Sequence, residues 1–577
     1  MIWWASQPSR ARGERSSVAE LEEAVGWLRN VKWRVTEDGA MRSDFEIMVN
    51  DEPIALELTY PGLFPDVPPQ IRPKGSVLLS GHQYGVGGEL CLEFRPDNWE
   101  PAITGAMMIE SAHRLLTGEQ PAPGERAVVD SAHRTTLGQE ARGATFRFLL
   151  PSETRAAVLA LPMWTAIEFE ATEHLVAGHW LAFLFRLGEQ AIPIWDATGA
   201  IPHHRSRKGH VIRLPAEAQK FVRADWDFVS ILVEEKITIA SARLAQSDDE
   251  LILLVECGGT FTLLAVVSGI EKRTVIGYQT LDIPADVVRL PPEYVRLAEA
   301  SVAIVGCGSV GSKIAASLAR AGVGKFVLID GDVLLPGNVV RNDLDWTVVG
   351  LNKPDGVKRR IERISPSAKV TVRRLGLGGQ ESAASTDSAL EQAGACDVIV
   401  EATADPQVFN LCGAIARNER KMLVWGEVFA GGIGGIVARL RPDLDPVPHA
   451  ARRQIIDWCA ARDKPLPAGA EIQYGLVLGD DAQPLVADDA DVTVIAAHAT
   501  RMTLDALLRE ETSFPQSAYA IGLRAGWIFE APFDTWPIAL TAEGVWGPVE
   551  DERLHEQLSA FLKEFFPKAE DGGGSAA

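Results

Sequence analysis

The sequence predicts a multidomain protein mixing α+β and α/β architecture, on three observations. A proline-rich α+β segment leads the chain, short apolar β-runs fill residues 140–290, and strand–helix–strand alternation begins at Ser301. The 577 residues are too many for one core. The expected division is 1–125, 126–288 and 289–567, with a disordered tail at 568–577. Apolar residues at 46% and charged residues at 23% fit a soluble globular protein. Met1 to Ser16 lacks a signal-peptide core, and no segment reaches the ~18 apolar residues of a membrane span, so a cytoplasmic protein without membrane contact is expected. A net charge of −22 argues against direct nucleic-acid binding.

Taken in order, residues 16–30 (SSVAELEEAVGWLRN) read as a capped amphipathic helix and IALELTY as a half-buried strand. YPGLFPDVPPQIRP holds too much proline for helix or central strand. The Cys91 segment follows, then a helix in AITGAMMIESAHRLL and a linker from Thr117 to Ala127. FRFLL, LAFLF, LILLVE, TFTLLAVV and TVIGYQTLDI read as strands. HHRSRKGH, His203 to His210, reads as a solvated basic loop rather than a phosphate or metal site, because the cluster holds no carboxylate or cysteine. From Ser301 the alternation predicts a parallel sheet with crossover helices.

GCGSVG puts Gly306, Gly308 and Gly311 between a strand and a helix, where close backbone approach and free N–H groups suit phosphates. Asp330 ends the next strand, at the spacing of a ribose ligand. Alone, this motif also fits a nicotinamide-dependent oxidoreductase. The residues that follow favour ATP: Asp332, Asn338, Arg341, Asn342 and Lys353 crowd the same edge, and Asp405 follows a buried strand. Hydride transfer needs no such cations, whereas attack at a nucleotide α-phosphate does. Asp405 suits Mg²⁺.

This run of motifs resembles the ubiquitin-activating superfamily, including bacterial ThiF/MoeB-like sulfur-carrier adenylyltransferases, over roughly residues 290–515. The resemblance implies a Rossmann-like adenylation domain that uses ATP and Mg²⁺. Asp330 would bind ribose, Asn338, Arg341 and Lys353 the phosphates, and Asp405 the metal. It also implies a homodimer through this domain, with Arg289 and Arg296 as candidates for an upstream arginine that reaches ATP. PLVADDADVTVIAAHATRM resembles the family's closing strand and helix. The paired C-x-x-C ligands of the sulfur-carrier members are absent.

An acyl-adenylate passes its acyl group to a thiol or an amine. The resemblance implies an acceptor cysteine in a crossover loop after the Mg²⁺ strand, and between ARLRPDLDPVPHAARRQ and PLVADDADV the one cysteine is Cys459, with Arg452, Arg453 and Arg462 near it in sequence to lower its pKa; IIDWC also reads as a packed helical face. Cys257, Cys396 and Cys412 read as core. The proline-rich segment, GELCLEF, Trp99, Pro101 and a helix resemble ubiquitin-conjugating enzymes over residues 15–120, with Cys91 at the thioester position. The family's His-Pro-Asn is replaced by His82-Gln83-Tyr84, which leaves His82 or a backbone N–H for the oxyanion.

Together the two resemblances match bacterial activating–conjugating fusion proteins with a β-rich linker domain, known from CBASS anti-phage operons. They imply activation of the C-terminus of a ubiquitin-like protein or a cGAS-like nucleotidyltransferase, capture on Cys459 and Cys91, and transfer to an amine of a protein target. Adenylation of a sulfur carrier without conjugation, an NAD-dependent oxidoreductase and a non-catalytic scaffold are the alternatives.

Overall fold

The computed structural model describes residues 2–75, 79, 82–84, 87–119, 141–197, 205–234, 251–268, 273–283, 290–379, 381–429, 431–464, 487–548 and 553–566. Contacts divide the chain into two compact units, Met1–Ala144 and Thr145–Ala577.

In the first unit the helix expected over residues 16–30 spans Pro8–Ala24. Proline at its first turn already has the helical φ, and Val25 turns extended to feed the strand Leu28–Val35. That strand opens an antiparallel sheet continued by Met41–Val49, Glu52–Thr59 and Gln70–Pro73. Along Met41–Val49 alternate side chains are buried, and Phe45 and Ile47 join Met108, Ile109 and Leu116 of the helix Gly105–Glu119 in one core. Glu14 is buried and locks the helix in place: its Oε2 accepts from Tyr60 Oη at 2.7 Å and from the N–H of Gly105 at 2.6 Å. A carboxylate at a helix N-terminus offsets its own burial this way. Of the predicted linker, residues 117–119 finish this helix, and the rest lies outside the described residues.

The second unit contains two sheets. In the first, Phe146–Pro151, Arg273–Ile283, Thr260–Ser268, Leu251–Cys257, Arg205–Leu214 and Ile167–Val176 pair in that order, and His179–Glu189 pairs with both Phe146–Pro151 and Ile167–Val176, closing a ring. All five predicted β-runs are strands of this sheet. The expected basic loop is a strand instead, Arg205–Leu214, with His203 and His204 outside the described residues. Its antiparallel neighbour Ile167–Val176 supplies the acids that the sequence cluster lacks: Arg207 Nη1 meets Glu173 Oε2 at 2.7 Å, and Lys208 meets Glu170.

The other sheet runs in the order Lys369–Arg373, Lys325–Ile329, Ser301–Val305, Val398–Glu401, Met422–Phe429, Gly434–Leu440, Ala518–Gly522, Thr535–Ile538. It is mixed rather than all-parallel. The first five strands are parallel, and the last three pairings are antiparallel. The chain reverses between Phe429 and Gly434, and Gly431 and Gly432 there take φ of 64° and 93°, which glycine adopts at no steric cost. The predicted closing helix is Asp489–Leu508; the strand before it lies outside the described residues. Among the described residues no helix is long and apolar enough to cross a membrane.

Candidate active site

Strand order reverses beside Ser301–Val305, whose neighbours are Lys325–Ile329 on one side and Val398–Glu401 on the other. Ligands of such sheets bind in the crevice at the carboxyl ends of these strands. A cavity of about 450 Å³ lies there, and Gly306, Gly308, Asp330, Asp332, Asn338, Arg341, Lys353 and Asp405 all line it.

The loop is held by close packing. Gly306 has φ 90°, and a Cβ there would come within 2.8 Å of Thr403. Gly311 stands outside the cavity lining and lets the helix Ser309–Ala321 press against the loop, since its Cβ would fall 1.8 Å from Gly306 O. Gly308 faces open space. Asp330 ties the two rims together: Oδ2 accepts from Cys307 N–H at 2.7 Å and Oδ1 from Asp332 N–H at 2.8 Å. Burial raises its pKa, and these bonds and Lys353 oppose the rise. Lys353 Nζ lies 2.6 Å from Asp332 Oδ2. Asn338 Oδ1 caps its own turn by accepting from Leu335 N–H, and Asn342 reaches Cys307 O at 3.3 Å.

Asp405 is the N-cap of the helix Pro406–Asn418, with Oδ1 accepting from Gln407 N–H at 2.7 Å. Its Oδ2 takes no hydrogen bond among the described residues, which fits a cation ligand. No cluster of three or more His, Cys, Asp or Glu suited to a metal occurs among the described residues. Of the upstream arginines, Arg289 lies outside the described residues, and Arg296 is exposed and does not line the cavity.

Sequence reading misses Glu427, which also lines the cavity. Burial raises its pKa to about 7, against the pull of Arg452. Behind the cavity Glu401 is fully buried and accepts from Thr403 N–H at 2.7 Å, and burial raises it from 4.5 to about 7. A glutamate inside each apolar strand run, VIVEA and VWGEV, is the sequence signal for both. The folded chain therefore holds a proton on Glu401 that the unfolded chain releases at lower pH, so stability falls as pH rises between these two values. Glu401→Gln is expected to flatten that fall and to stabilise the chain at about pH 8 by on the order of 2 kcal/mol, checked by urea unfolding across pH.

The two thiols depart from the expectation of accessible nucleophiles. Cys459, in the helix Pro448–Ala460, is 0% exposed and burial raises its pKa to about 11. Its arginines are directed elsewhere: Arg453 pairs with Glu543, Arg452 sits over Phe409, and Arg462 lies 3.8 Å over the Trp458 ring, so only Arg462 opposes the rise. Its place is the packed helical face. Cys91 is 7% exposed, and burial takes its thiol to about 11. Cys91 N–H donates to His82 O at 2.8 Å, and Trp99 Nε1 braces the preceding loop through Pro65 O at 2.7 Å. Cys257, Cys307, Cys396 and Cys412 are buried as well.

Residues 285–447 match the ThiF family. The Sinorhizobium fredii protein y4qC is 25% identical over 86% of this chain and 90% of its own length. The ATP-dependent ubiquitin transferase-like protein Cap2 of Pseudomonas aeruginosa is 28% identical over 25% of this chain, which spans only 27% of Cap2. The solved structure of E. coli MccB with ATP is 17% identical over 43% of this chain and 67% of MccB, with a TM-score of 0.32. Residues 285–447, which hold the glycine loop, Asp330, Arg341, Lys353 and Asp405, thus form a ThiF-type domain, within a chain similar along most of its length to y4qC.

Proposed function

We propose that the chain activates the C-terminal carboxylate of a protein by adenylation and passes the acyl group through Cys91 to an amine. The observation that carries this reading is the gathering of the glycine loop, Arg341, Lys353 and Asp405 around one cavity at the sheet's switch point. The carboxylate oxygen attacks the α-phosphorus of ATP, pyrophosphate leaves, and an acyl-adenylate remains. Loop N–H groups and Arg341 receive the phosphate charge, and Lys353 exchanges Asp332 for it. Asp330 would orient the ribose while keeping its hold on the loop. Asp405 would hold Mg²⁺, which neutralises triphosphate charge when bound.

A thiol then attacks the acyl carbon and AMP leaves, forming a thioester. Cys459 as first acceptor requires its helix to open, and Cys91 requires less exposure. The similarity to Cap2, an ATP-dependent ubiquitin transferase-like protein, supports a transferase role. We read the carboxylate donor as a ubiquitin-like protein or a cGAS-like nucleotidyltransferase, acting in anti-phage defence. We read residues 1–125 as the conjugating module, 126–288 as a linker domain and 289–567 as the adenylation module, which pairs with a second copy. One observation favours a second reading, adenylation without conjugation: both candidate thiols are buried.

The test is ATP–pyrophosphate exchange with each candidate donor, followed by intact mass of the chain. Lys353→Ala is expected to lower exchange by about 10²-fold. Cys91→Ala is expected to keep pyrophosphate release and lose the final thiol-labile adduct. An adduct that persists in Cys91→Ala but vanishes in Cys459→Ala would place the thioester on Cys459 alone. No adduct on the parent chain, with exchange intact, selects the second reading.

A further inference from the structure

The Cys91 thiol belongs to a cluster. The bond from Cys91 N–H to His82 O extends the antiparallel ribbon in which Gln83 pairs with Leu90 and Tyr84 with Glu89. Cys91 and His82 are therefore opposite each other, and side chains of directly opposed residues leave a ribbon on the same face. The last residue of the helix Gly105–Glu119 completes the group, with Glu119 Oε1 3.4 Å from His82 Nε2. Glu119 Oε2 is buried and takes no hydrogen bond among the described residues. Arg95 and Glu119 both act on the thiol, the arginine lowering its pKa and the carboxylate raising it, beneath the larger effect of burial.

We propose that His82 and Glu119 form a proton-transfer pair for discharge of an acyl group from Cys91 to an amine, with His82 the base and Glu119 the residue that positions it. This rests on the thioester reading above. The amine nitrogen attacks the acyl carbon, a C–N bond forms, and His82 takes the proton released from nitrogen. The C–S bond breaks, and the departing Cys91 sulfur receives that proton from His82. Nothing is oxidised or reduced, and the histidine returns neutral. Between the two transfers the Glu119 carboxylate stabilises the imidazolium and fixes its ring.

The experiment bypasses ATP and the protein donor. The full chain is treated with the 2-mercaptoethanesulfonate thioester of N-acetylglycine, and intact mass follows the acyl group on Cys91, with Cys91→Ala as the blank. Discharge is then timed against free lysine and against hydroxylamine, an amine that is largely neutral at working pH and needs no base. Glu119→Gln is expected to slow discharge to lysine by about 10²-fold, Glu119→Asp to recover most of it, and hydroxylamine to discharge parent and Glu119→Gln alike. Equal lysine rates in parent and Glu119→Gln overturn the pair, as does equal slowing with both amines, which marks a structural role. Failure of the parent to hold an acyl group on Cys91 overturns it too. If the small thioester behaves as expected while ATP-dependent charging fails, the pair stands and the adenylation reading falls.

Discussion

Gly311→Ala is expected to lose ATP binding and stability together. The added Cβ would stand 1.8 Å from Gly306 O and 3.0 Å from Gly306 C, both backbone atoms. The loop has no room to retreat, because the Gly306 side of it already lies against Ala402 and Thr403 and its φ of 90° admits few other residues. The helix Ser309–Ala321 must therefore back away, pulling Cys307 N–H off Asp330 and spreading both rims of the cavity. Overpacking of this kind costs about 1–3 kcal/mol. A loss of ATP affinity of at least about tenfold, or ~1.4 kcal/mol, is expected by calorimetry, alongside a lower melting temperature. Gly308→Ala provides the contrast. Nothing lies within 4 Å of its Cβ, so the chain should keep its stability and lose affinity only through the methyl group in the phosphate path. Unchanged ATP affinity in Gly311→Ala would show that the loop, rather than the helix, can yield.

Asp505→Ala is expected to cost about 3–5 kcal/mol, the range for removing one partner of a buried ion pair. Arg439 is 0% exposed near the end of an all-buried strand, and its Nη1 meets Asp505 Oδ2 at 2.5 Å. Thr512 Oγ1 and the N–H and Oγ of Ser513 complete the carboxylate's shell. Burial raises the Asp505 pKa, but these bonds and Arg439 outweigh it and hold the group below its ordinary value. The pair therefore stabilises the chain above the ordinary carboxylate range and is lost as pH falls through the lowered value. Without Asp505 the guanidinium stays in the core with Nε and Nη2 already lacking hydrogen-bond partners. Urea unfolding near neutral pH measures the loss. A double replacement, Arg439→Met with Asp505→Leu, should restore much of it, since apolar substitutes avoid the desolvation cost. A single-variant loss under about 1 kcal/mol would mean that water reaches Arg439.

The crevice at the carboxyl ends of the parallel strands was largely legible because its parts are local in sequence. Gly306 to Gly311, Asp330 and Lys353 follow one another through a strand, a turn and a helix, so spacing alone predicts that they share an edge. Glu427 lies on a later strand, and only the pairing of Val398–Glu401 with Met422–Phe429 brings it to the same cavity. The helix assigned to 16–30 began eight residues earlier than read, because Pro8 outranks Ser16 as a start signal when it occupies the first turn. The basic run at 205–210 became a strand because Glu170 and Glu173, far away in sequence, neutralise it across the sheet. Thiol exposure was the least legible feature. The arginines near Cys459 in sequence turn to Glu543, Phe409 and Trp458 instead, and spacing does not reveal such directions.

The position of Arg439 has a consequence for synthesis of the chain. The strand Gly434–Leu440 pairs with Met422–Phe429, already made, and with Ala518–Gly522, made only after the helix Asp489–Leu508. Until then the nascent protein exposes one edge of a strand that is apolar but for this arginine. Such an edge invites pairing with other chains, and an inward-pointing charge discourages it. A charge within the strand opposes such pairing while its edge is open, and Asp505, in the helix made just before the last pairing strand, is the partner that charge meets in the folded sheet.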